Sequence, residues 1–229
     1  MQEKRRMVRA GHGLSGFDLK CIAVFSMLTD HIGAYLYPSE VWMRYVGRLA
    51  FPIFGFLIVE GFLHTRDVKK YMGRLFVFAL ISEVPYDLTR YNTLFYADGQ
   101  NVFFTLFCAL VCIWALHTWQ GKPLTAAAVL AAVCGAMHYL VKSDYGIGGI
   151  VMILCFYIFR MQRVEQFLSV AAINICYYGK IQRAGALALV PIWFYNGKKG
   201  PSVKYFFYAF YPVHLFLLYL IRRYVSYVI

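Results

Sequence analysis

Apolar runs of 15–20 residues follow one another along this chain with almost no polar gap between them. They fall at 17–37, 46–63, 73–89, 101–118, 123–141, 145–160, 164–178, 182–195 and 205–221. A full crossing of a bilayer takes about 20 residues. The runs at 164–178 and 182–195 are therefore short, and predict either tilted spans or one re-entrant pair. The pattern predicts an all-α polytopic membrane bundle of eight to ten spans forming one domain over 1–229, headed by a short basic segment at 1–16. Connections are turn-like, as at Tyr37-Pro38-Ser39, Asp98-Gly99 and Gly121-Lys122-Pro123. No internal repeat is visible, which weighs against an inverted-repeat transporter.

Composition fits that pattern. Of 229 residues 61% are apolar and 15% charged, against about 45–50% and about 25% in ordinary soluble domains. The net charge of +12 would suggest nucleic acid in a soluble protein. Here the cations lie in short stretches between apolar runs, where topology signals sit, so no nucleic-acid partner is expected. With nine spans, 14 Lys and Arg fall on the side of the N-terminal cluster (Lys4, Arg5, Arg6, Arg9) and 7 on the other. The N-terminus is thus expected in the cytoplasm. The first span lacks a small-residue cleavage site and reads as a retained helix. None of the six cysteines forms a CxxC pair. They read as buried free thiols, with no metal site expected.

Ionisable residues inside spans are costly and mark candidate sites. Lys20 and His31 are eleven residues apart in the first span, which puts them on one helix face about 16 Å apart along the axis. A cation near the surface and an imidazole deeper in suit a long anionic acyl donor whose phosphates stay at the surface, such as a coenzyme A thioester. The alternative is that Lys20 snorkels and His31 bonds a neighbouring helix. Asp30 points about 100° away from His31 and is expected to pair with another span. The second span brings Arg48 and Glu60, with Arg66 just beyond, and Glu60 is expected to pair with Arg66 or Lys20. Ser82-Glu83-Val84-Pro85-Tyr86-Asp87 either lines an acceptor pocket or shapes a helix end broken by its proline. Asn101 is a cap or an interhelical bond, and Ser143 or Asp144 a cap for the span that follows Tyr145. In the last run Lys204, Tyr208 and Tyr211 share a face, and His214 lies beyond a proline.

Taken together, Asp30-His31, Arg48 to Phe54 with Glu60-Gly61, Ser82 to Asp87, Asn101 to Thr105, Asp144-Tyr145-Gly146, Tyr195-Asn196-Gly197 and Tyr211 to His214 resemble the TraX family over about residues 14–221. That family is named for a conjugation protein that acetylates F-type pilin, and it is similar to the wider transmembrane acyltransferases. Those carry a basic residue, ten intervening residues and a histidine in the first span, a spacing that Lys20 and His31 match.

The resemblance implies acetyl-CoA as donor, with no metal, in a bacterial cytoplasmic membrane. It implies His31, with Asp30, as catalytic, and Lys20, Arg48 and Arg66 as donor-facing. Glu60, Glu83, Tyr86, Asp87, Asn101, Asp144, Tyr145, Tyr211 and His214 are the candidates for the acceptor side. The acceptor is an amine or hydroxyl on a pilin-like protein, a glycan or a lipid. Two other classes stay open. A transporter would use the buried charges as a path, and an assembly factor would use them only to hold helices together.

Overall fold

The computed structural model describes residues 13–228, so the basic cluster at 4–9 lies outside the described residues. The described chain is helical throughout, with two isolated β-bridges and no strand. We number the helices α1 (Gly16–Tyr35), α2 (Val41–Gly47), α3 (Ala50–His64), α4 (Val68–Tyr91), α5 (Val102–Thr118), α6 (Pro123–Ala136), α7 (Gly146–Ile158), α8 (Arg163–Ala172), α9 (Leu189–Trp193) and α10 (Lys204–Val228). One π-turn, Met137–Val141, prolongs α6, and another, Ile173–Tyr177, prolongs α8. A 3-10 helix, Lys180–Ala188, leads into α9.

Helix starts follow from local chemistry. Ser15 and Asp18 form a reciprocal capping box at α1, where the Asp18 carboxylate accepts from the Ser15 N–H at 2.8 Å. Asp67 caps α4 by accepting from the Lys70 N–H at 2.9 Å, and Asn101 caps α5 by accepting from the Phe103 N–H at 3.0 Å. Asn92, left-handed at φ 56°, ends α4.

Three segments are long and apolar enough to cross a membrane: Val41–His64, Pro123–Val141 and Tyr205–Val225. Helices α1 and α4 are comparably long but carry Lys20 and Asp30, and Arg74, Glu83, Asp87 and Arg90, within their length. The first half of the short run at 182–195 is built as a 3-10 helix. That form rises about 2.0 Å per residue rather than 1.5 Å, so few residues reach further. Large apolar side chains such as Phe25, Leu124 and Leu140 are more than two-thirds exposed to the surroundings, as expected of a surface facing lipid.

Leu19, Ile53, Leu75, Leu110, Ile153, Phe156 and Leu215, from six helices, form the centre of the core. Gly149 lets α7 approach Thr105 and Phe51, and Gly148 lets it approach Tyr177.

The structure corrects three local expectations. Pro85 lies inside α4 without breaking it. The neighbouring helix braces this stretch, with the Thr89 hydroxyl 2.9 Å from the Leu215 carbonyl oxygen of α10. Neither Ser143 nor Asp144 caps α7, whose cap position is Tyr145 with no side-chain bond. Ser143 is 2.5 Å from the Thr105 hydroxyl instead, and Asp144 turns to Arg90. Of the six cysteines only Cys112 is buried; Cys108, Cys134 and Cys155 are half-buried, and Cys21 and Cys176 are exposed.

Candidate active site

A cavity of about 1290 Å³ runs between α1, α3, α4, α5 and α10. At one end stand Lys20, Arg74 and Lys199, with His64 and Thr65 nearby; at the other stand Arg44, Arg48, Arg90, Asp144 and Lys180. We call these the lysine end and the arginine end. The waist between them is apolar, with Phe54, Leu57, Ile58, Val102 and Leu106 on the wall.

The arginine end is assembled where α2 folds back on α1. The Ser26 hydroxyl donates to the Val46 carbonyl at 2.6 Å, and Gly47 packs so tightly on the Asp30 carboxylate that no Cβ fits there. This closeness sets Asp30 against the two guanidiniums of the same hairpin. Arg48 Nη2 donates to both Asp30 oxygens at 2.6 and 2.7 Å, and Arg44 pairs with the same carboxylate at 3.3 Å. Arg48 also reaches Gln182, which donates to Asn174 at 3.0 Å, tying the guanidinium to the 3-10 segment. Asp30 thus pairs across helices, and neither of its oxygens bonds the His31 ring. A second pair, Arg90 with Asp144 at 3.2 Å, is joined by the Tyr86 hydroxyl, which donates to Asp144 at 3.3 Å.

His31 lies on the wall of the cavity and His214 lies behind it. The His31 Nδ1 and His214 Nε2 are 2.6 Å apart, and the two rings are nearly parallel at 10°. His214 Nδ1 is 2.7 Å from the Phe210 carbonyl oxygen one turn earlier in α10. A carbonyl only accepts, so His214 Nδ1 carries the proton. His214 Nε2 is then the acceptor, His31 Nδ1 is the donor, and the lone pair of the His31 ring is left on Nε2. Tyr35 and Tyr211 flank the same ring at 5.9 and 6.1 Å between centroids.

The other residues singled out in the sequence divide into two groups. Lys20, Glu60, Tyr86, Asp144, Tyr145 and Tyr211 line the cavity. Tyr145 stacks on Phe51 at 3.6 Å between ring centroids. Glu83, Asp87, Asn101, Arg66 and His214 are off its wall. Asn101 donates to the Ala79 carbonyl at 2.8 Å and to the Glu83 carboxylate, and Asp87 accepts from the Tyr96 N–H at 2.8 Å. These bonds pin α4 to the start of α5 and to the loop between them. Arg66 is exposed beyond the end of α3. The expected pairing of Glu60 with Arg66 or Lys20 is replaced by a contact with His64 at 3.9 Å, one turn along the same helix.

Five cavity cations, Arg44, Arg74, Arg90, Lys180 and Lys199, are among the 21 Lys and Arg that the charge count divides between the two membrane sides. Counting charges in loops takes no account of which way each side chain faces. Tyr35 was also missed, although its position four residues after His31 places it on the same helix face.

A family model described as TraX protein matches residues 15–222. A Dichelobacter nodosus protein named "Probable fimbrial assembly protein FimC, serogroup H1" is 31% identical over 233 residues, covering 89% of this chain and 94% of that protein. Protein TraX of Escherichia coli is 29% identical over 161 residues, covering 69% of this chain and 60% of its own length. No solved structure matches the chain.

Proposed function

Since this chain belongs to the TraX family, we propose that it is a membrane-embedded acetyltransferase taking acetyl from acetyl-CoA. The acceptor is the amine of a pilin-like protein presented at the arginine end. The single observation that carries this reading is the run from the Phe210 carbonyl through His214 to His31, which leaves the His31 Nε2 lone pair for the cavity. An imidazole held in one tautomer beside a cavity is suited to general-base work near neutrality.

The cavity suits the donor. Lys20, Arg74 and Lys199 supply cations for phosphates at one end, and the apolar waist suits an uncharged arm. On this reading the lysine end and the N-terminus face the cytoplasm of a bacterial cell. Acetyl-CoA supplies the thioester carbonyl that is attacked. His31 takes the N–H proton of the acceptor as the new C–N bond forms. It then returns that proton to the departing sulfur as the C–S bond breaks. Arg48 and Arg44, fixed by Asp30, supply positive charge beside the reacting centre for the developing oxyanion. The name of the fimbrial assembly relative supports a pilus subunit as acceptor.

The test is transfer of labelled acetyl by the purified protein in detergent. His31→Gln is expected to lower the rate about 10²–10⁴-fold while the protein elutes and melts as the wild type does. An unchanged rate removes His31 from the reaction. Solute uptake into proteoliposomes without any acetyl-CoA requirement would replace acyl transfer by transport.

A further inference from the structure

The arginine end carries more positive charge than the reacting centre needs. Arg44, Arg48, Arg90 and Lys180 stand there against two carboxylates, Asp30 and Asp144. Asp30 is taken up by Arg44 and Arg48, and Asp144 by Arg90. Lys180 makes no ion pair among the described residues and stands exposed at the start of the 3-10 helix. Arg44 and Arg90 are 28% and 44% exposed at the side chain, so both are within reach of a molecule entering this end. On the orientation given above, these cations lie on the non-cytoplasmic side, where Lys and Arg are normally scarce. Topology therefore does not account for them.

The excess also bears on the acceptor. An α-amine has an ordinary pKa of about 7.7–8.0, so it arrives largely as a cation and gives its extra proton to water before it attacks. A mouth with two surplus positive charges repels it unless the same molecule brings negative charge. We propose that the acceptor polypeptide carries an acidic side chain near its N-terminus, and that Lys180, with Arg44 and Arg90, receives that carboxylate while the amine passes on to His31. The inference rests on the acyl-transfer reading and assigns its acceptor a chemical class, an N-terminally acidic peptide.

The experiment uses the full-length protein in detergent, labelled acetyl-CoA and a set of apolar synthetic peptides with free N-termini. One glutamate is moved through the second to eighth positions, with the glutamine peptide at each position as control. Some glutamate positions are expected to raise kcat/KM about tenfold or more over their glutamine controls, the scale of a hydrogen bond to a charged group. Raising the salt should shrink that ratio. Lys180→Glu should abolish the preference and favour a lysine peptide at the same position. This residue is exposed and makes no ion pair among the described residues, so its replacement does not endanger the fold. Equal rates for glutamate and glutamine at every position, or a preference unchanged in Lys180→Glu, would overturn the inference while leaving acyl transfer standing. Absence of transfer to every peptide would overturn the acyl-transfer reading and this inference with it. A phosphatidylglycerol vesicle that competes with the glutamate peptide where phosphatidylcholine does not, together with equal rates for the two peptides, would assign the cations to lipid phosphate instead.

Discussion

Asp30 gathers Arg44 and Arg48 at one end of the cavity, whereas Lys20 and Lys199 at the other end meet no carboxylate among the described residues. The guanidiniums are held by bonds of 2.6–3.3 Å, a glycine packed against their carboxylate and a glutamine from another segment. Lys20 rests 5.6 Å from the Phe207 ring, and Lys199 lines the same end of the cavity. Fixed, forked donors suit charge that develops at one point during a reaction. Flexible point charges that repel one another suit an anion arriving from solution, which relieves the repulsion when it binds. On the acetyl-transfer reading, the same sign of charge serves chemistry at one end and capture at the other.

The sharpest way to break this contrast is to remove the carboxylate. Asp30→Asn leaves Arg44 and Arg48 facing each other without compensation, and a broken buried pair costs about 3–5 kcal/mol. Thermal unfolding in detergent should show the loss, and Gly47→Ala, which displaces the same carboxylate, should move in the same direction. The next effect is on rate. On the acetyl-transfer reading, His214→Phe should lower kcat about 10–100-fold, the scale known for partners that orient metal-bound histidines, with the KM for acetyl-CoA unchanged. His214→Gln offers an amide oxygen to His31 Nδ1 and should recover part of that loss. A merely structural role would not separate the two variants.

At the lysine end Lys20→Gln should raise the KM for acetyl-CoA about tenfold at low salt, with the difference shrinking as the Debye length falls. Its stability should stay within about 0.5 kcal/mol of the wild type, in contrast to Asp30→Asn. The smallest effect concerns Asp67, at the start of α4. Its carboxyl is held below the ordinary value of 3.8 chiefly by the Lys70 N–H. A depressed folded pKa contributes stability that is complete above 3.8 and lost as the pH falls below it, through the folded pKa. An acid titration of unfolding from about pH 5 downward should therefore show a slightly shallower slope in Asp67→Asn than in the wild type, where Asp18 and other carboxylates also contribute.

Most of the fold could be read from the sequence, because lipid leaves a long and unambiguous apolar record. The run at 123–141 corresponds to α6 with its π-turn, and that at 164–178 to α8 with its own. The interruption between α2 and α3 at residues 48 and 49 is less legible, since Val41 to His64 reads as one apolar segment across it. Pro85 misled because a proline signals a break only where no neighbouring helix supports the chain. Within the candidate site, the shared face of Lys20 and His31 follows from helix periodicity alone. The contact between His31 and His214 does not, because 183 positions separate them and no local pattern reports which span packs on which.

That separation also has a temporal meaning. The ring on α1 acquires its acceptor only from α10, the last described helix to leave the ribosome. At about 5–20 residues per second, the 183 intervening positions take about 10–40 s to make. During that interval His31 has no partner to fix its proton, and on the acetyl-transfer reading the nascent bundle holds a cavity wall without a competent base. Activity would then begin only when the final helix docks, so a chain that stalls or loses this helix would be inserted but inert.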